Sequence, residues 1–232
     1  MKSSLAFLLP IFLGLLPTII SQNDLYYRRA FYEPQQQLRP MPYAQFSPSF
    51  FTSNLRRQEN GPLVIVPNQH VKARFAVALF NNTETGVTGL VTFFQGGPHL
   101  HVEVHGILNG LTPGLHGFHV HEYGDMRNGC TSMGGHFNPF GKTHGSPAHL
   151  ERHVGDLGNI FADRTGFSEF GFYDGQISLF PGLTEILGRG LVVHANKDDL
   201  GQGGHKDSKT TGNAGGRVGC APIVLAALPS NK

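Results

Sequence analysis

This 232-residue chain carries 13 histidines against 16 acidic residues, and the spacing of several of them can do chemistry. His119 and His121 flank Val120 in a β-prone run. On a strand alternate side chains share a face, so the two imidazoles point the same way. His194 ends another such run, Leu191–His194. An imidazole-rich set of this kind suits copper. His136, His144 and His153 recur at wide intervals along one long segment, and Asp156 follows the last of them. Three imidazoles and a carboxylate supply the four donors of a closed tetrahedral zinc site, here without thiolate. Each histidine alone is a weak signal; the order of the set is a strong one.

Elements that could position these donors are strands. Ala73–Phe80, Val87–Gln95, His99–Ile107 and Leu115–His121 are β-rich and separated by turn residues. Asn159–Ala162 and Phe167–Tyr173 flank the hairpin signal Asp163-Arg164-Thr165-Gly166, and Leu191–His194 and Arg217–Leu225 follow. Short strands, 31 glycines and no convincing helix predict an all-β antiparallel sandwich or barrel. Two long loops, roughly 122–155 and 195–216, interrupt the pattern, and loops of that length inside a domain are usually functional. A net charge of +2 argues against a nucleic-acid binder, and 39% hydrophobic residues argue against wholesale disorder.

The start of the chain has another character. Lys2, an apolar run from Leu5 to Ile20 broken by Pro10 and Pro17, and small Ser21 form a secretory signal over residues 1–21. The run is short for a membrane span, and no later segment is long and apolar enough for one. Residues 22–70 hold prolines, a Gln35-Gln36-Gln37 run and scattered aromatics without period, which reads as a mobile extension and, on the plainest reading, a solvated spacer. Arg28-Arg29 and Arg56-Arg57 are candidate processing sites. The folded domain is expected over 71–228, with a short tail at 229–232. In an oxidising compartment Cys130 and Cys220 can form a disulfide, worth at most ~4–5 kcal/mol. Asn81-Asn82-Thr83 is a glycosylation sequon with Asn81 as acceptor.

Gly114 through Glu122, Gly135-His136-Phe137-Asn138-Pro139, His153 through Gly158, Val192-Val193-His194 and Gly212-Asn213-Ala214-Gly215 together resemble the copper/zinc superoxide dismutases. The resemblance runs from about Ala76 to Leu225. It implies a Greek-key sandwich, secretion aside, and dismutation of superoxide by a copper redox cycle beside zinc. It makes His119, His121, His136 and His194 the copper ligands and His136, His144, His153 and Asp156 the zinc ligands, so that His136 bridges the two metals. Asp198 matches a carboxylate that hydrogen-bonds one histidine of each set. Cys130 and Cys220 match the family's disulfide, and Arg217 matches an arginine facing the copper. His136, through its proton, and Arg217, through the substrate anion, would be the catalytic residues.

The second loop departs from the family pattern, with Lys206-Asp207 and Lys209 where an acidic pair and a lysine are usual. Pro222 falls where an apolar residue often contributes to a dimer contact, which counts against a homodimer of the usual kind. His99, His101, Glu103 and His105 alternate along one strand, with Leu100, Val102 and Val104 on a core-like face. A second metal site there is conceivable, but a solvent-facing polar stripe is the better reading. His116 reads as a structural hydrogen-bonding residue. The alternative function is a non-catalytic extracellular copper/zinc-binding protein, and a third reading makes the extension an adhesive segment carried by the domain.

Overall fold

The computed structural model describes residues 72–229. The expected signal, the extension with its arginine pairs, and the last three residues of the tail lie outside the described residues. Ten strands are present among the described residues: β1 (Arg74–Asn82), β2 (Val87–Gln95), β3 (Val102–Asn109), β4 (Gly114–His121), β5 (Arg127–Cys130), β6 (Asp156–Ala162), β7 (Ser168–Asp174), β8 (Gly190–His194), β9 (Arg217–Pro222) and β10 (Val224–Ala226). One antiparallel sheet has the order β10-β1-β2-β3-β7, the other β6-β4-β8-β9. The chain crosses between sheets after β3, β6, β7 and β9, and β7 returns beside β3, as a Greek-key sandwich requires.

Alternation explains the first sheet. In β1 Ala76, Ala78 and Phe80 point inward while Leu79 points out; in β3 Val102, Val104 and Leu108 point inward. Their inner faces meet Phe118, Val120, Leu157, Leu191 and Ile223 from the second sheet in one core. Each such side chain contributes about 1.5–3 kcal/mol by leaving water. Strand β8 is buried at every position, because its outer face is covered as well. The expected β6–β7 hairpin is present, its turn tied by Asp163 Oδ1, which accepts from Thr165 N and Phe167 N.

Four details differ from the sequence reading. The stretch Arg217–Leu225 is two strands, because Pro222 closes β9 and the chain then passes to the other sheet as β10. Strand β3 begins at Val102, so His99 and Leu100 lie in a turn closed by Leu100 N–H donating to Gly97 O. Leu100 is therefore not a core residue; it is 59% exposed. Strand β5 and a one-turn helix, α1 (Ser208–Thr211), sit inside the two long loops, too short to leave a periodic signal.

Candidate metal centre

Four pieces of chain converge on one buried region. Strand β4 bears His119 and His121, and a bulge between Gly117 and His119 sets His119 opposite Asp156 at the start of β6. A single bridge pairs His121 with His136 of the first loop. His194 ends β8 opposite Arg217 of β9, again at a bulge. Bulges of this kind re-aim side chains, which is why the ends of the interior strands β4 and β8 can gather donors that a regular ladder would spread.

The donor atoms of His119, His121, His136 and His194 all lie within 4.8 Å of one another. In each ring one nitrogen is held by the protein. His119 Nε2 is 2.7 Å from Asp198 Oδ2, His121 Nδ1 3.0 Å from Gly134 O, His136 Nδ1 2.9 Å from Asp156 Oδ1, and His194 Nδ1 3.1 Å from Gly215 O. The opposite nitrogens face each other: His121 Nε2 and His194 Nε2 are 3.4 Å apart, and His119 Nδ1 and His136 Nε2 are buried without a hydrogen-bond partner. Unpaired buried nitrogens are costly in a metal-free protein and are what a transition ion would satisfy. Burial pushes the His119, His121 and His136 pKa values down, and holds His194 at about 4. These imidazoles are therefore neutral at physiological pH, the form that binds metals.

A second nest adjoins the first. Asp156 Oδ1 lies 2.9 Å from His136 Nδ1, 3.0 Å from His144 Nδ1 and 3.1 Å from His153 Nδ1. A tetrahedral ion with bonds near 2.05 Å separates its donors by about 3.3 Å, so this fan is close to the size of a zinc shell. His144 Nδ1 is at ion-pair distance from that oxygen but off hydrogen-bond alignment. Burial opposes charge on His144, yet Asp156 and Asp198 outweigh it and raise its pKa to about 9. Burial likewise raises the Asp156 carboxyl, but its three histidines overcome that and drive it far below the usual range. By mutual distance the second group of donors is His119, His136, His144 and Asp156; His153 is not among those four, although its Nδ1 faces the same carboxylate oxygen.

Further residues hold this constellation in place. Asp198 is fully buried, accepting from His119 Nε2 through one oxygen and from His144 Nε2, 2.9 Å away, through the other. Asn159 clamps the Asp198 backbone from both sides, accepting its N–H at 2.8 Å and donating to its carbonyl at 2.9 Å. Arg152, buried, donates to Asp156 O and to Asp174 Oδ2. His116 Nδ1 meets His194 O and its Nε2 meets Thr112 O, each at 2.7 Å, which is the structural role expected of it. Asn159 and Arg152 carried no signal in the sequence, since neither belongs to a periodic or donor pattern. Arg217 donates to Cys130 O and Gly134 O. Gly134 has φ 73°, a conformation open to glycine, and its carbonyl so turned also serves His121. Cys130 and Cys220 are joined in a disulfide. His149 and His205 are exposed; His99, His101 and His105 form no group with converging donors.

The fold and its donors thus define a β-sandwich metalloprotein in which an all-imidazole nest adjoins a nest of imidazole and carboxylate, the two sharing His119 and His136. The family model of copper/zinc superoxide dismutases matches residues 87–223. An extracellular Cu-Zn superoxide dismutase of Onchocerca volvulus is 50% identical over 159 residues, covering 67% of this chain and 78% of that protein. The crystal structure of the clock protein EA4 matches with a TM-score of 0.62 and 48% identity, over 66% of this chain and 94% of that one. This chain belongs to the copper/zinc superoxide dismutase family.

Proposed function

We propose that His119, His121, His136 and His194 hold copper, that His136, His144, His153 and Asp156 hold zinc, and that superoxide is dismutated at the copper nest outside the cell. The family's reaction is 2 O2•− + 2 H+ → O2 + H2O2. Copper, when bound, supplies the one-electron couple, and zinc, which has none, supplies a fixed charge. His153 is preferred to His119 as the fourth zinc donor. With Nε2 committed to Asp198, His119 has only Nδ1 to give, whereas His153 Nδ1 already faces Asp156. Neutral imidazoles with an N/O set alongside fit these two ions, and a non-catalytic metal store is the weaker reading because Arg217 and every donor position are filled.

The observation that carries the assignment is His136. Its Nδ1 turns to Asp156 while its buried Nε2 has no partner. That Nε2 is the atom able to hold a proton and release it to the product. Arg217, partly exposed, uses Nη1 and Nη2 hydrogens on Cys130 O, Thr131 O and Gly134 O; of five guanidinium hydrogens two remain for an anion. It binds and orients superoxide and stays charged throughout.

Metal analysis of single variants tests the assignment. His194→Ala is expected to lose copper and at least 100-fold of the superoxide rate while keeping zinc; a comparable loss from His119→Ala, with zinc lost from His153→Ala, completes the pattern. Zinc lost from His119→Ala and retained in His153→Ala would overturn the zinc set.

The signal pattern at residues 1–21, the disulfide and an extracellular relative support secretion. Exposure of Asn81 at the end of β1 supports it as a glycan acceptor. A second copy of the chain is the partner we assign to the face around β10. Pro222 does not oppose it, since it ends an outermost strand where its missing N–H breaks no ladder. Among the described residues no helix is long and apolar enough to cross a membrane.

A further inference from the structure

We propose that Asn82 and Thr85, at the β1–β2 hairpin, form a latch that positions strand β9 and with it the disulfide and Arg217. Strand β9 is the outermost strand of its sheet, so one side of its backbone has no ladder partner. Two side chains of the hairpin supply what is missing. Asn82 Oδ1 accepts the Cys220 N–H at 2.9 Å, and Thr85 Oγ1 donates to Val218 O at 2.5 Å. The Asn82 amide also reaches Cys220 Sγ, at 3.9 Å, and Met126 Sδ covers the same sulfur from 3.7 Å. Asn82 is the last residue of β1, and the hairpin is closed behind it by Gly86 N–H donating to Asn82 O.

The seam is packed as well as bonded. A Cβ at Gly219, between the two latched residues, would lie 2.7 Å from Val87 Cγ1 and 3.3 Å from Phe80 Cδ1. Only a glycine lets β9 come this near the hairpin. Cys220 is 1% exposed, so without Asn82 its N–H would be buried and unpaired. From β9 the connection continues through Arg217, which grips Cys130 O and Gly134 O, to Gly134 O itself, the acceptor for His121 Nδ1. Asn82 touches neither substrate nor metal donor; it is a positioning residue.

The effect on superoxide rests on the assignment of Arg217 as the anion-orienting residue, whereas the effect on the disulfide does not, so the two can fail separately. The test uses the full-length, metal-loaded protein. Asn82→Ala and Asn82→Asp both leave the sequon Asn81-X-Thr83 intact. Thiol release is followed under dithiothreitol, whose two thiols become a cyclic disulfide as Cys130 and Cys220 become thiols. The superoxide rate constant is measured against ionic strength. Buried disulfides are reduced through local opening, so Asn82→Ala is expected to accelerate thiol release roughly tenfold, the factor that about 1.4 kcal/mol of a lost buried hydrogen bond gives. It is also expected to flatten the salt dependence of the superoxide rate. Asn82→Asp keeps the acceptor for Cys220 N–H and restores both readouts to within about twofold of the parent, an allowance for its added charge. Thr85→Val and Thr85→Ser form the same contrast at Val218 should Asn82→Ala fold poorly. Thiol release at the parent rate in Asn82→Ala and Thr85→Val, or as fast in Asn82→Asp as in Asn82→Ala, overturns the latch. Faster release with an unchanged superoxide profile keeps the latch and removes Arg217 from it.

Discussion

Asp198 has two oxygens and two imidazoles to serve, one in each nest, and that is the reason a carboxylate rather than an amide stands there. An asparagine has a single acceptor oxygen; its NH2 would face an imidazole N–H and force one ring into the other tautomer. Asp198→Asn is therefore expected to weaken copper or zinc binding by about 10–100-fold without unfolding the domain, measured by chelator competition. Affinities for both metals within twofold of the parent would show that the carboxylate does not set the tautomers. At this scale the donors themselves were legible, because histidine is rare enough for its spacing to carry information. The clamp on Asp198 was not: Asn159 acts through backbone atoms 39 positions away, and nothing in a one-dimensional pattern marks such a pairing. The same holds for Arg152, hidden next to a candidate ligand in a segment without period.

Loops are the elements that had to be explained, since a long irregular segment cannot hold a nest within tenths of an ångström unless something stiffens it. In the first loop that role falls to Arg152, which joins the Asp156 carbonyl to Asp174 at the end of β7. Asp174 in turn accepts from Gln176 N and Ile177 N, so the ion pair anchors the nest around Asp156 to the next connection. Removing the cation leaves a buried carboxylate uncompensated, a change that costs about 3–5 kcal/mol. Arg152→Met is expected to lower the melting temperature and to speed zinc release. Pairing it with Asp174→Asn should recover part of the stability, because the stranded charge is then gone. If both single variants melt with the parent, the pair does not anchor the loop. Strand positions were readable from alternation, and β2 fell on its expected residues. Where expectation failed, length was the cause. Strand β5 has four residues and α1 four, below what a period can show, and the last expected strand split at a proline whose effect depends on which sheet edge it meets.

Across the described domain exposed apolar side chains are scattered, and one group of them lies at the end that holds β10. Around β10, Val224 is 48% and Leu225 59% exposed, and backbone bonds from Gly188 N to Ile223 O and from Gly124 N to Gly188 O bring the 54%-exposed Tyr123 alongside. Contiguous exposed apolar side chains rimmed by polar ones mark interaction surfaces. A two-fold contact places the same patch on both partners, so a single charge enters the interface twice. This end carries the disulfide loop and β9, the elements that hold Gly134 and Arg217, so a partner there would also stiffen the rim of the all-imidazole nest. Leu225→Asp is accordingly expected to convert a dimer into a monomer in light scattering after size exclusion. The monomer should keep both metals, because no donor lies on β10, and should release its disulfide to reductant faster than the dimer does. A parent protein that elutes as a monomer at micromolar concentration, or a Leu225→Asp variant that stays dimeric, would move the second copy to another face or remove it.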